Sequence, residues 1–166
     1  MIVVFDASVL IFLFEKDANA PTNPITNKPL ERCYDRVNHL VSELQAAGAK
    51  IVVPTPALAE VLVKAGNAAP DWLKIISTSK HFSVAPFDML AAVEHAALQI
   101  DRPKPDLGEK RKIKFDDQIF SIARVVNASV IYSSGKGFVR RATSELSVVG
   151  VLDLPLPPED PQGALF

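Results

Sequence analysis

Cysteine is almost missing from this sequence: Cys33 stands alone among 166 residues. No intrachain disulfide and no cysteine-based zinc site can therefore form, which suits a reducing compartment. Long hydrophobic runs are missing as well, and none approaches the roughly 18 apolar residues of a transmembrane helix. Charge of one sign is also lacking. Eighteen Lys and Arg face 19 Asp and Glu, for a formal net charge of −1, so no global field steers the molecule toward nucleic acid or an anionic membrane. A polyanionic partner must be drawn by a local basic patch or by bound metal. The N-terminus has no basic leader, Asp6 interrupts its apolar stretch, and Glu15 and Lys16 end it. These absences predict a soluble, unexported, cytoplasmic protein that does not enter a membrane.

The composition that remains, 48% hydrophobic and 22% charged, is that of a globular domain large enough for a real core. "IVVF" at 2–5 reads as a buried strand, short, apolar and rich in β-branched residues. A helix should start near Ser8, and residues 17–30, with three prolines and no periodicity, read as a loop insertion. Val37, Leu40, Val41 and Leu44 mark a helix from Glu31 to Gly48. A strand at 51–53 should lead into a helix with Thr55 as N-cap, Pro56 first and Gly66 as terminator. A helix over 71–79, a strand over 82–85 and a helix over 88–100 capped by Asp88 follow. Residues 101–114 read as a charged, proline-bearing loop, and Asp116 as the opening of a helix striped by Ile119, Ile122, Ala123 and Val126. A strand at 128–132, a short helix over 138–146 and a strand over 147–152 complete the order. Such alternation predicts one three-layer α/β/α domain over 1–152 with a mainly parallel central sheet, and a Pro-rich tail over 153–166.

Ligands bind outside the carboxyl ends of strands in open parallel sheets, and acids cluster there. Asp6 ends the first strand, Glu60 lies in the helix after the second, and Asp116 opens the helix before the strand that leads to Ser133 and Ser134. Gathered carboxylates repel unless cations or protons neutralise them, and hard oxygen ligands suit Mg²⁺ or Mn²⁺. Each has a plainer alternative: Asp6 as a helix N-cap, Glu60 as a solvated helical acid, Asp116 as an acid favoured by the helix dipole. Asp117, rotated from Asp116 by about 100°, is expected to face solvent. Glu94 reads as a solvated acid or an accessory one. His39, His81 and His95 show no metal spacing, and "SSGKGF" lacks the spacing of a phosphate-binding P-loop.

Four blocks, in order, resemble the PIN domain, and within it the VapC-like toxin ribonucleases. "VVFDASVLI" resembles the opening strand, with Asp6 as first metal acid and Ser8 beside it. "VPTPALAEVL" places the family's Glu at Glu60, and "FDDQIFSIA" selects Asp116 over Asp117. "ASVIYSSGKGF" resembles the fourth block, but where most members carry an Asp this chain has Ser134 or Gly135. Ser133 and Ser134 bring hydroxyls for a metal-bound water and no charge; Glu94 and Asp117 are accessory candidates for the missing charge. The resemblance implies a Mg²⁺- or Mn²⁺-dependent ribonuclease that prefers single strands, with Asp6, Glu60 and Asp116 as catalytic and metal residues. It also implies a homodimer and an antitoxin protein as partner. The departure leaves a second possibility, a PIN-like module that binds RNA or a protein without efficient cleavage. For RNA contact the basic residues flanking the acids are the candidates: Lys110, Arg111, Lys112 and Lys114 before Asp116, and Lys136, Arg140 and Arg141 after the serines.

Overall fold

The apolar run that opens the chain becomes β1 (Ile2–Phe5), whose last three residues are fully buried. Burial on both faces is what a central strand of a parallel sheet requires. The structure, a computed structural model, describes residues 1–100, 110–135, 138, 143, 144 and 146–158, with backbone alone for 110–114. After β1 come α1 (Ala7–Phe14), α2 (Cys33–Ala46), β2 (Lys50–Pro54), α3 (Thr55–Ala65), α4 (Ala69–Thr78) and β3 (Phe82–Ala85). Then follow α5 (Met89–Ile100), α6 (Lys110–Val125), β4 (Val130–Tyr132) and β5 (Ser147–Val149).

Among the described residues, five strands pair in the order β3-β2-β1-β4-β5, all parallel. From β1 the chain steps one way to β2 and β3, then crosses back to β4 and β5 on the other side. The reversal lies between β1 and β4, where Val3, Val4 and Phe5 pair with Val130, Ile131 and Tyr132. By the right-handed rule for crossovers, helices of the outward and returning connections cover opposite faces. The expected α/β/α arrangement with a parallel sheet is what the chain adopts. Phe5, Ile51 and Ile131 lie at the centre of its core. Phe14 of α1 stacks on Trp72 of α4 at 4.7 Å between ring centroids.

Several boundaries depart from the sequence-based expectation. The helix expected to open at Asp116 begins at Lys110, because Lys and Arg are good helix formers and a run of charge does not by itself make a loop. The remainder of the expected loop, 101–109, lies outside the described residues, as does most of the expected helix over 138–146. Thr55 does not cap α3; its hydroxyl accepts the Phe87 N–H at 3.2 Å, and Pro54 holds the N-cap position. Asp88 does cap α5, its Oδ1 accepting the Ala91 N–H at 3.0 Å. Gly48 and Gly66 end α2 and α3 in positive-φ backbone (65° and 52°) that other residues reach only with strain. The 17–30 segment is a loop pinched by an antiparallel bridge between Thr22 and Pro29. Beyond β5, Leu154 is buried, and its carbonyl accepts a hydrogen bond from the Arg36 guanidinium.

Candidate active site

Asp6 stands at the reversal point of the sheet, one residue past β1. Its backbone does what an N-cap does, the carbonyl accepting N–H groups from Val9 and Leu10 at 3.1 and 2.9 Å. Its side chain makes no capping bond. Instead Oδ2 accepts two hydroxyls, Ser8 at 2.8 Å and Ser133 at 2.7 Å. Asp6 is thus the N-cap of α1 by position and backbone, as the plainer alternative has it, while its carboxylate is spent on the two hydroxyls. With Asp6 only 7% exposed, the two charge-assisted bonds fix its rotamer. Among the described residues no hydrogen bond falls on Oδ1.

The loop after β4 is tied to this carboxylate by a short network. Ser8 Oγ accepts the Ser134 N–H at 3.0 Å, and Ser133 Oγ accepts the Gly135 N–H at 3.0 Å. Ser133 is wholly buried. Its hydroxyl donates to Asp6 and accepts from Gly135, so it positions the carboxylate rather than presenting itself to a ligand. Ser134 is exposed and its Oγ accepts the Val151 N–H at 3.3 Å. A side chain at Gly135 would place its Cβ 3.1 Å from Cδ2 of Phe138 and 3.3 Å from Ser133 Oγ. The turn is thus packed for small residues, and no acid occupies it.

A cleft of about 380 Å³ opens beside Asp6, lined by Asp6, Ser8, Pro56, Glu60, Phe115, Asp116, Ile119, Ser134 and Gly135. Pro56 and Glu60 are four residues apart on one face of α3, and Phe115 and Ile119 four apart on α6. Asp6, Glu60 and Asp116, predicted from three distant segments, therefore share one cavity. They are not drawn together tightly. Glu60 is paired with Lys64 at 2.9 Å, and among the described residues no group of three or more His, Cys, Asp or Glu is close enough to hold a metal ion.

The accessory acids lie elsewhere. Glu94 is paired with Arg124 at 2.7 Å, about two helical turns along α6 from Asp116, so its charge is compensated there. Asp117 was expected in solvent; it is 2% exposed, and Oδ2 accepts a hydrogen bond from Gln99 Nε2 at 2.7 Å. The expectation failed because α6 is covered on two sides. Ile119 and Ala123 join the core, while the face rotated toward Asp117 packs on α5. Among the basic candidates, Lys136, Arg140 and Arg141 lie outside the described residues, and Lys112 and Lys114 are placed by backbone only, in the first turns of α6. Phe115, Pro56 and Ile119 went unrecognised. Placing 110–114 in a loop concealed that Phe115 and Ile119 share a helix face.

Solved structures resemble this architecture along nearly its whole length. VapBC2 from Rickettsia felis, bound to a DNA fragment from its promoter, superposes with a TM-score of 0.59 at 16% identity, covering 90% of this chain and 98% of that one. VapC20 from Mycobacterium tuberculosis, a sarcin–ricin loop cleaving toxin, gives 0.55 at 12% identity over 86% and 97%. DNA-bound VapBC from Salmonella typhimurium gives 0.54 at 14% identity over 91% and 98%. The chain has a VapC-like PIN-domain fold. No protein-family profile and no curated protein matches the sequence, so the likeness is one of fold. Within that PIN fold, Asp6 and the serine turn occupy the reversal point between β1 and β4, where open parallel sheets carry their ligand sites.

Proposed function

We propose that this protein is a metal-dependent endoribonuclease of the toxin type, acting from the cleft beside Asp6. The observation that carries it is the convergence of Asp6, Glu60 and Asp116, from three separate segments, on one cavity at the sheet's reversal point. Their oxygen donors match Mg²⁺ or Mn²⁺ in chemistry. Asp6 is held by Ser8 and Ser133 with Oδ2 occupied, which leaves Oδ1 as its donor toward a cation. Glu60 can join by leaving Lys64, an exposed pair of a kind worth about 0.3–0.5 kcal/mol. A bound divalent ion there would offset phosphate charge and lower the pKa of a coordinated water. Lys110, Arg111, Lys112 and Lys114, with Lys136, Arg140 and Arg141, are the residues proposed to hold the RNA backbone. An antitoxin protein that covers this cleft, self-association as a homodimer and a cytoplasmic location complete the proposal. VapBC assemblies among the structural neighbours support the partner.

One observation favours a second function, an RNA- or protein-binding module with little cleavage. The serine turn beside Asp6 holds no acid and is packed against one at Gly135, so the cleft has fewer negative ligands for an ion.

Incubation of single-stranded RNA with the protein and Mn²⁺ decides between them, with Asp6→Asn, Asp116→Asn and EDTA as controls. Metal-dependent cleavage lost in both variants is expected. Wild type indistinguishable from the variants and the EDTA control would refute the nuclease. Mn²⁺ binding, read by calorimetry on wild type and Asp6→Asn, checks the ion site apart from turnover.

A further inference from the structure

The lining of the cleft beside Asp6 is of two kinds: the acids Asp6, Glu60 and Asp116, and the apolar Pro56, Ile119 and Phe115. Phe115 is 57% exposed, although the core of the same helix, at Ile119, Phe120, Ile122 and Ala123, is buried. An isolated apolar residue on a surface needs no explanation. Phe115 is different because it borders a cavity and adjoins Asp116, one of the acids of that cavity.

We infer that Phe115 forms a base-stacking subsite for the nucleotide next to the phosphate that the acids engage. The inference rests on the nuclease proposal for its substrate class and adds the side chain that holds a base beside those acids. A flat, exposed aromatic ring accepts the face of any base, and a base is free to leave its own stack only where the strand is unpaired. In sequence Phe115 follows Lys110, Arg111, Lys112 and Lys114 on the same helix, and cations beside an aromatic are the composition of single-strand grooves. A duplex, whose bases are already stacked and paired, cannot present a base to Phe115 without opening.

The test measures binding of a fluorescein-labelled single-stranded RNA by anisotropy, in an Asp6→Asn background so that turnover does not intrude. Phe115→Ala is expected to weaken binding roughly 5- to 150-fold, while Phe115→Trp keeps it and its indole emission is quenched by the RNA. An oligonucleotide with one abasic position, scanned along the strand, should cost wild type the same factor at a single position and cost Phe115→Ala nothing more there. Duplex RNA should bind equally to both forms. Equal binding of single strand by wild type and Phe115→Ala overturns the inference, even if RNA is cleaved. Stacking that is confirmed while Mn²⁺ gives no cleavage refutes the nuclease and leaves the subsite standing. If Phe115→Ala binds RNA normally but elutes as a smaller species in size-exclusion chromatography, the ring is a protein contact and the inference is wrong. Thermal melting of Phe115→Ala near the wild-type temperature confirms that a lost effect is not lost folding, as expected for an exposed ring.

Discussion

Replacing Ser133 with alanine probes the hydroxyl that holds Asp6. In the folded protein Ser133 Oγ donates to Asp6 Oδ2 at 2.7 Å and accepts the Gly135 N–H at 3.0 Å, with the side chain wholly buried. A hydrogen bond to a charged group is worth about 1.5–3 kcal/mol, and a donor left without a partner adds about 1–3 kcal/mol. The two effects overlap, since Gly135 is partly open to solvent, and Ser8 still bonds Asp6 at 2.8 Å. A net loss of about 2–3 kcal/mol follows. For a domain of this size it lowers Tm by roughly 4–12 °C, measured by circular dichroism or calorimetry. Ser133→Asp extends the test. It sets a second carboxylate beside Asp6, where like charges disfavour joint ionisation. That variant should melt below Ser133→Ala in EDTA and recover more than wild type does on adding Mn²⁺. A Ser133→Ala protein melting within about 1 °C of wild type would refute the claim that this hydroxyl fixes the carboxylate.

Three further outcomes follow from side chains around the site. Asp117→Ala removes the buried acceptor of Gln99 and should cost about 1.5–3 kcal/mol in urea unfolding, whereas Asp116→Asn should act chiefly on cleavage and Mn²⁺ binding; the reverse pattern would exchange their roles. Lys64→Ala breaks an exposed pair and should change stability by no more than about 0.5 kcal/mol. By freeing Glu60 it should also tighten Mn²⁺ binding in calorimetry, and an unchanged affinity would remove Glu60 from the ion site. Burial pushes the Cys33 thiol above its ordinary 9.0, against the Arg36 guanidinium and a backbone hydrogen bond that pull it down. Burial, with Glu43 adding to it, pushes the Tyr132 phenol above 10.0. Both groups fold protonated, so their contribution is complete below pH 9 and is lost as pH rises through the elevated folded values. Tm should thus fall as pH rises above about 9, and the fall should be smaller in Cys33→Ala.

The parallel sheet was legible because β1 and β2 are buried on both faces, and such strands are written as continuous apolar runs. The acids at strand ends were legible for a related reason, since a carboxylate directly after "IVVF" has few structural uses. What stayed hidden depended on partners remote in sequence. Thr55 looks like an N-cap locally, and only Phe87, 32 residues away, claims its hydroxyl. Asp117 reads as solvated because a single apolar stripe implies one covered face, while α6 packs both on the core and on α5. The first turns of α6 read as a loop because their charge masks their helix propensity, and the same masking hides Phe115. Ser133 could be named as a neighbour of the site from order alone. Its bond to Asp6 spans 127 residues, a distance that local pattern cannot bridge.

The electrostatics of the cleft explain how its acids can be both close and separate. Asp6 has its charge dispersed over two hydroxyl donors, and Glu60 has its charge offset by Lys64. The serine turn adds none. For these two acids the repulsion between bare carboxylates is reduced before any ion arrives. The same arrangement sets a penalty on binding. An ion that recruits Glu60 must displace Lys64, and it finds no fourth acid at Ser134 or Gly135 to compensate. A fully acidic cluster binds its metal tightly because it is unstable without it; this cleft relieves that instability within the protein and so gives up part of the affinity. The proposed metal-dependent cleavage should consequently demand a higher ion concentration than a fully acidic cluster would, and EDTA should lower the wild-type Tm only slightly.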